Sequence, residues 1–226
     1  MEKLVELYRK WAGSAPANVE KLAGAGSNRA YYRLTDSEGK TVIGVIGTSR
    51  DENHAFIYLA KHFAKRQLPV PHVLAVSVDE MCYLQTDLGV ISLFDAIRGG
   101  REAGGRYNLA EQELLRKTIK ELPNFQLRGA RGLDYSYCYP QAEFNEESVL
   151  FDLNYFKYCF LKATEIDFHE LKLQANFRMF AKDLTSEKIE AFQYRDFQAR
   201  NVMLDSKGNP HFIDFQGGRK GPYYYD

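Results

Sequence analysis

The chain is notable first for what it lacks. Thirty basic residues balance thirty acidic ones, so no net charge of either sign remains. Without an overall positive field, nothing in the composition holds a nucleic acid or an anionic membrane surface. Cysteine is sparse: Cys82, Cys138 and Cys159 are odd in number, widely spaced and set in apolar or aromatic runs. That pattern predicts reduced thiols rather than a disulfide framework. Long apolar runs are missing as well. The opening MEKLVELYRKWAG puts Leu4, Leu7, Tyr8 and Trp11 at helical spacing with charges between them, unlike a signal peptide, and no later stretch approaches the roughly eighteen uncharged residues of a spanning helix. A cytoplasmic protein is expected. The five histidines, His54, His62, His72, His169 and His211, show no metal-ligand spacing and no cysteine partners, which argues against zinc. Ser92, Ser136 and Ser148 lack a G-x-S-x-G setting, which leaves hydrolase chemistry no foothold.

What is present is ordinary globular material: 226 residues, 45% of them hydrophobic, enough for one large domain or two small lobes. After the first helix, residues 19–23, 30–35 and 41–47 read as three antiparallel strands, the first two flanking a glycine-bearing turn and the last following DSEGK. Asp51 or Glu52 opens a helix carrying Phe56, Leu59, Ala60 and Phe63 on one face, which ends before the strand-favouring PVP of 69–71. Residues 73–78 and 81–86 complete a five-stranded sheet with one helix. Beyond Gly89 the period becomes helical over 93–97, 111–125, 149–164 and 168–184, with Pro123 a candidate kink. GGREAGGRY at 99–107 reads as a flexible loop and 135–139 as an ordered connection. Strand signals return at 202–204 and 211–215 around the turn DSKGNP. The fold class expected is α+β in two lobes.

The chemistry concentrates around that last hairpin. YRDFQARNVMLD places Asp196 and Asn201 five residues apart in a loop entering the first strand, and IDFQ places Asp214 at the end of the second. Paired hairpin strands let Asn201 and Asp214 converge. A carboxylate to orient and deprotonate a hydroxyl, with oxygen ligands for a magnesium ion on nucleotide phosphates, is what phosphoryl transfer requires. Taken singly, Asp and Asn in loops mostly close turns. The combination of Arg-Asp, Asn five later, an apolar strand, a polar turn and apolar-Asp-Phe is far more specific.

These residues, with GAGSNRAYYRL, PVPHVLAVS, YLQTDLG at 83–89 and IDFQGGRKGPYYYD, carry a resemblance over nearly the whole chain. It resembles the aminoglycoside-phosphotransferase-like kinases, related in fold to protein kinases, and within them the anomeric sugar kinases that phosphorylate N-acetylmuramate and N-acetylglucosamine in cell-wall recycling. The resemblance implies a protein-kinase-like bilobal fold: a nucleotide-binding N-lobe at 1–86, a hinge at 87–90 and a mainly helical C-lobe at 91–226. It implies ATP and magnesium, a small-molecule acceptor, and an amino sugar as substrate. An aminoglycoside or other metabolite kinase, and a catalytically impaired nucleotide-binding module, are the competing expectations.

Residue by residue, the resemblance makes Asp196 the catalytic base and Asn201 and Asp214 the metal ligands. Gln85, Thr86 and Asp87 would meet adenine through their backbone. Gly24, Gly26, Ser27, Asn28 and Arg29 would form the loop over the phosphates, although two glycines in a hairpin are by themselves only a turn. Asp152 and Tyr155 of FDLNYF correspond loosely to the acceptor site, with a core role for Tyr155 and a solvated one for Asp152 as the plain alternative. Four departures stand beside these matches. TVIGVIGT has no lysine, so Arg29 or Arg33 would have to substitute, and Glu52 is left without an ion-pair partner, acting only as an N-terminal helix charge. Tyr194 and Gln198 occupy places where histidine is common, and Gly217 one where an acid is. The family continues past Asp226 through further helices, so the C-lobe is expected to be incomplete and to need an additional C-terminal segment or a partner.

Overall fold

The computed structural model describes residues 1–23, 28–186 and 191–226. Helix α1 (Glu2–Ala12) precedes strands β1 (Asn18–Lys21), β2 (Ala30–Thr35) and β3 (Thr41–Ile46), helix α2 (Arg50–Lys65), and strands β4 (Val73–Val76) and β5 (Cys82–Thr86). The five strands form one antiparallel sheet in the order β1-β2-β3-β5-β4. Alternation sorts its two faces. Ile43, Val45 and Tyr83 point toward α2, while Leu34, Cys82 and Leu84 point the other way.

That second face is covered by α1, the expected first helix, whose packing on the sheet the sequence did not indicate. Leu4 and Tyr8 pack on Leu34, Cys82 and Leu84. The close approach depends on Gly44 of β3, where an added Cβ would come 2.6 Å from Leu34 Cδ1 and 2.8 Å from Leu4 Cδ1. Gly44→Ala is therefore expected to lower folding stability by about 1–3 kcal/mol through overpacking. A urea titration measures this, and an unchanged midpoint would show that α1 yields freely.

Helix α2 begins one residue earlier than the charge pattern suggests, because Ser49 caps it: its hydroxyl accepts the Glu52 amide. Its buried face drives an aromatic column through the molecule. Phe56 stacks on Tyr83 at 5.0 Å and on Phe215 at 5.1 Å, and Phe63 meets Phe125, Phe192 and Phe215 edge-on. Such pairs add roughly 0.5–1.5 kcal/mol each beyond area burial. They weld the sheet and α2 to the segment that carries Asp214.

The second half is mainly helical: α3 (Leu93–Ala96), α4 (Arg98–Glu102), α5 (Leu109–Pro123), α6 (Glu146–Phe156) and α7 (Glu170–Leu184). Helix α4 lies where the glycines of 99–107 suggested a loop. The Glu111 carboxylate accepts the Gly100 amide and also closes the capping box of α5 with Asn108, so the glycines are held rather than loose. Pro123 ends α5 without breaking the run, which continues as a π turn over Asn124–Gly129. Strands β7 (Val202–Leu204) and β8 (Pro210–Phe212) form the expected hairpin, ending before Asp214. A two-stranded sheet not anticipated from the sequence joins β6 (Ala191–Gln193) to β9 (Arg219–Gly221). Among the described residues no helix is long and apolar enough to cross a membrane, and all three cysteines are free thiols.

Candidate active site

The catalytic-loop candidates sit between β6 and β7, a stretch pinned at both ends. The Asn201 carbonyl accepts the Ile213 amide at 3.0 Å, which continues the β7–β8 register toward Asp214. Asn201 Nδ2 then donates to the Asp196 carbonyl at 3.0 Å and to Asp214 Oδ2 at 3.1 Å. Asp196, Asn201 and Asp214 are thus brought together as expected. Arg195 and Asp214 both hold positive φ, 73° and 66°, a costly conformation for residues with a Cβ. Backbone strain of that kind persists only where neighbours enforce it.

Three enforcing residues escaped the sequence reading. Gln216 Nε2 donates to Asp214 Oδ1 at 2.7 Å, so both carboxylate oxygens of Asp214 are held. Asp226 accepts the backbone amides of Tyr194 at 2.8 Å and Arg195 at 2.7 Å, with Gln126 Nε2 donating at 3.2 Å. Arg219, 2% exposed, donates through Nε and Nη2 to the Gly217 carbonyl, and burial with the nearby Arg195 charge lowers its pKa to about 10. Asp226 acts across more than thirty residues, a gap that no local pattern spans, whereas Gln216 and Arg219 each reach a partner two positions away. Gln216 alone left a trace, as the fourth residue of IDFQ.

Tyr194, expected to stand where histidine is common, donates its hydroxyl to the Ile213 carbonyl at 2.6 Å from a fully buried ring. Burial, then the charges of Asp214 and Asp196, push its pKa far up, so it stays a neutral donor. Tyr194→Phe leaves that carbonyl unpaired beside Asp214 and is expected to cost about 1–3 kcal/mol. Thermal unfolding measures the loss, and a melting point equal to wild type would contradict the bracing role.

Asp196 is held above the usual carboxylate range, mainly by burial and next by the charge of Asp214, with Arg195 opposing. Its Oδ2 lies 3.7 Å from where a Cβ at Gly217 would stand. Glycine there keeps a further acid away from Asp196, whose pKa would otherwise climb more.

Asn201 and Asp214, beside Asp196, line a cleft of about 260 Å³, together with Leu22, Tyr31, Ile43 and Tyr83 among others. Gln85, Thr86 and Asp87 line the same cleft. Their side chains do more than the sequence suggested. Thr86 Oγ1 accepts the His72 amide, and Asp87 takes Arg33 Nε at 2.6 Å and Nη2 at 3.2 Å. Arg33 also donates to the Gly89 carbonyl. Burial opposes ionisation of Asp87, but Arg33 and the Gly89 amide hold its pKa below the ordinary value. Arg33 therefore ties β2 to residues 87–89, while Gln85 Oε1 is buried in the cleft wall with no hydrogen-bond partner among the described residues.

The remaining expected residues divide. Gly24, Gly26 and Ser27 lie outside the described residues; Asn28 is exposed. Arg29 is buried and pairs with Glu52, Nη2 to Oε1 at 2.9 Å, which corrects the expectation that Glu52 has no ion-pair partner. Asp152 meets Arg195 Nη2 at 3.3 Å, one residue from Asp196, and Tyr155 on the same helix is 66% exposed rather than core. Among the described residues no group of three or more His, Cys, Asp and Glu gathers as a metal cage. One carboxylate and one amide are nonetheless a hard-oxygen pair of the kind that suits magnesium, which keeps waters and phosphate oxygens for its other positions.

A five-stranded sheet with a packed helix, a helical second half and a cleft lined by Asn201 and Asp214 define a protein-kinase-like bilobal fold. The model of the family described as "Phosphotransferase enzyme family" (APH) matches residues 18–226, and the chain belongs to that family. Two curated relatives carry the name N-acetylmuramate/N-acetylglucosamine kinase. The one from Neisseria meningitidis serogroup B is 28% identical over 203 residues, covering 88% of this chain and 56% of the relative. The one from Pseudomonas aeruginosa is 25% identical over 219 residues, covering 96% and 60%. The chain thus spans somewhat over half the length of both. In fold it is similar to the choline kinase LicA from Streptococcus pneumoniae, with a TM-score of 0.65 at 12% identity over 100% of this chain and 72% of that one. It is likewise similar to a streptomycin-ATP-APH(2")-IIa ternary complex, with a TM-score of 0.61 at 12% identity over 98% and 72%.

Proposed function

We propose that the protein is an ATP- and magnesium-dependent phosphotransferase whose acceptor is the hydroxyl of an amino sugar, N-acetylmuramate or N-acetylglucosamine. The observation that carries the chemistry is the convergence of Asp196, Asn201 and Asp214, the last two lining a cleft. The sugar rests on the names of the two curated relatives. In this reading residues 1–86 form the nucleotide lobe, 87–90 the hinge and 91–226 the acceptor lobe. An enzyme with free thiols that uses ATP belongs in the cytoplasm.

Asp196 orients the acceptor hydroxyl and takes its proton; burial and then the Asp214 charge raise its pKa, which improves it as a base. Asn201 and Asp214 would hold magnesium, which supplies charge neutralisation on the phosphates when bound. Gln216 fixes the Asp214 carboxylate in place, and Tyr194 and Asp226 hold the loop so that Asp196 needs no rearrangement during reaction. The backbone of 85–87 borders adenine, with Arg33 clamping that edge. Asp152 and Tyr155 face the acceptor, since the Arg195 contact keeps Asp152 beside the catalytic loop.

The acceptor is tested by measuring transfer to N-acetylmuramate, N-acetylglucosamine, choline, streptomycin and gentamicin under identical conditions. Amino-sugar turnover at least about a hundredfold above the rest, a difference of some 3 kcal/mol in transition-state binding, is the expected result. Preference for an antibiotic or for choline would overturn the sugar assignment while leaving phosphoryl transfer standing.

A further inference from the structure

We propose that Arg29, held by Glu52, is the cation that grips the nucleotide phosphates in place of a lysine on the third strand. The inference deepens the nucleotide reading above and rests on it. Strand β3, TVIGVI, carries no cation at all; Ile43 and Val45, on its cleft-and-α2 face, are buried hydrophobics. A kinase-like fold built this way has the helix glutamate but not its usual partner.

The structure fills that role from another strand. Arg29 immediately precedes β2, and its side chain, 2% exposed, runs inward to Glu52 in the first turn of α2. Nη2 lies 2.9 Å from Glu52 Oε1 and 3.4 Å from the Glu52 carbonyl. The guanidinium sits 5.9 Å from the ring centroid of Phe56, which stacks on Phe215, the residue after Asp214. Tyr31 and Tyr83, both lining the cleft, flank it. Burial works against its charge, but Tyr83, Tyr31 and Glu52 more than compensate and raise its pKa, so the guanidinium remains cationic.

Geometry and chemistry thus place a permanent, partly neutralised cation behind the cleft wall, on the side of Asp214. Arginine suits this dual task because its planar five-donor fork can serve Glu52 and Tyr31 and phosphate oxygens together, which a lysine ammonium does with less directional control. Glu52 is then a positioning residue, holding the guanidinium at the angle that serves the phosphates.

A purely structural pin between β2 and α2 would use the same ion pair, so the test must separate phosphate recognition from folding. Binding of MgATP and of adenosine is measured by calorimetry for wild type, Arg29→Gln, Arg29→Lys and Glu52→Gln. Arg29→Gln is expected to weaken MgATP by about 10–100-fold, the worth of one or more charge-assisted hydrogen bonds, while adenosine affinity stays at the wild-type value. Arg29→Lys recovers most of the loss, and Glu52→Gln gives an intermediate one. An Arg29→Gln variant that keeps the wild-type ratio of the two affinities, whether both hold or both fall together, overturns the assignment. Wild-type protein that binds adenosine and MgATP equally also overturns it, and one that binds neither overturns the nucleotide reading beneath it.

Discussion

Asp196→Asn is expected to reduce phosphoryl transfer by about 10²–10⁴-fold, the usual contribution of a positioned general base, with nucleotide affinity nearly unchanged. The same substitution is expected to raise the melting temperature of the metal-free protein. Burial and then the Asp214 charge raise the folded-state pKa of Asp196 above its unfolded value. For such an acid the sign is fixed: the native state favours the protonated form, so the residue supports folding below the unfolded pKa. That support is lost as pH rises through the folded pKa. Asparagine carries no charge to bury, so its advantage is full above the folded-state pKa and shrinks toward acid. Melting curves of both proteins between acid and neutral pH check the crossover; a variant less stable than wild type at neutral pH would remove burial as the cause. The activity of wild type should in turn gain its basic form at a pH above the ordinary aspartate range.

Asp226→Ala is expected to disable the site from behind. Its carboxylate accepts the Tyr194 and Arg195 amides and a Gln126 amide hydrogen, and the loop it holds includes Arg195 at φ 73°. Removing an ionised acceptor from two backbone donors costs about 2–4 kcal/mol, and the strained loop loses the contact that enforces it. A displacement of the base by even an ångström is worth about a hundredfold in turnover. Asp226→Asn, which keeps one acceptor oxygen, should fall between alanine and wild type in both stability and rate. Equal losses for the two variants would mean that Asp226 acts through its bulk rather than through these bonds.

The local parts of this architecture were legible in the sequence because they are written in short-range patterns. Strand-favouring runs between turn signals mark β1 to β5, the Phe56–Phe63 face marks α2, and the spacing of Asp196, Asn201 and Asp214 foreshadows the convergence that the β7–β8 pairing produces. What stayed hidden depends on partners far along the chain. β6 and β9 are three residues each and pair across an intervening hairpin, too short and too distant for any periodic signal. Gly44 looks like a flaw in a strand until α1 is seen packed against it. The Arg29–Glu52 pair crosses from one strand to a helix, and the Asp226 contact reaches back to the catalytic loop. Side-chain choice at those positions is dictated by tertiary geometry, so composition and spacing carry almost no trace of it. Glycines in GGREAGGRY misled for the opposite reason: a single distant carboxylate, Glu111, outweighs their local freedom.

The most direct test of the central claim follows phosphate from ATP to an amino sugar with and without magnesium. The account predicts ADP and sugar phosphate in equal amounts, formed only with magnesium present and lost in Asp196→Asn and Asp214→Ala. Tight ATP binding with no phosphate transferred to N-acetylmuramate, N-acetylglucosamine or any other acceptor would contradict it, and would leave a nucleotide-binding module in place of a kinase.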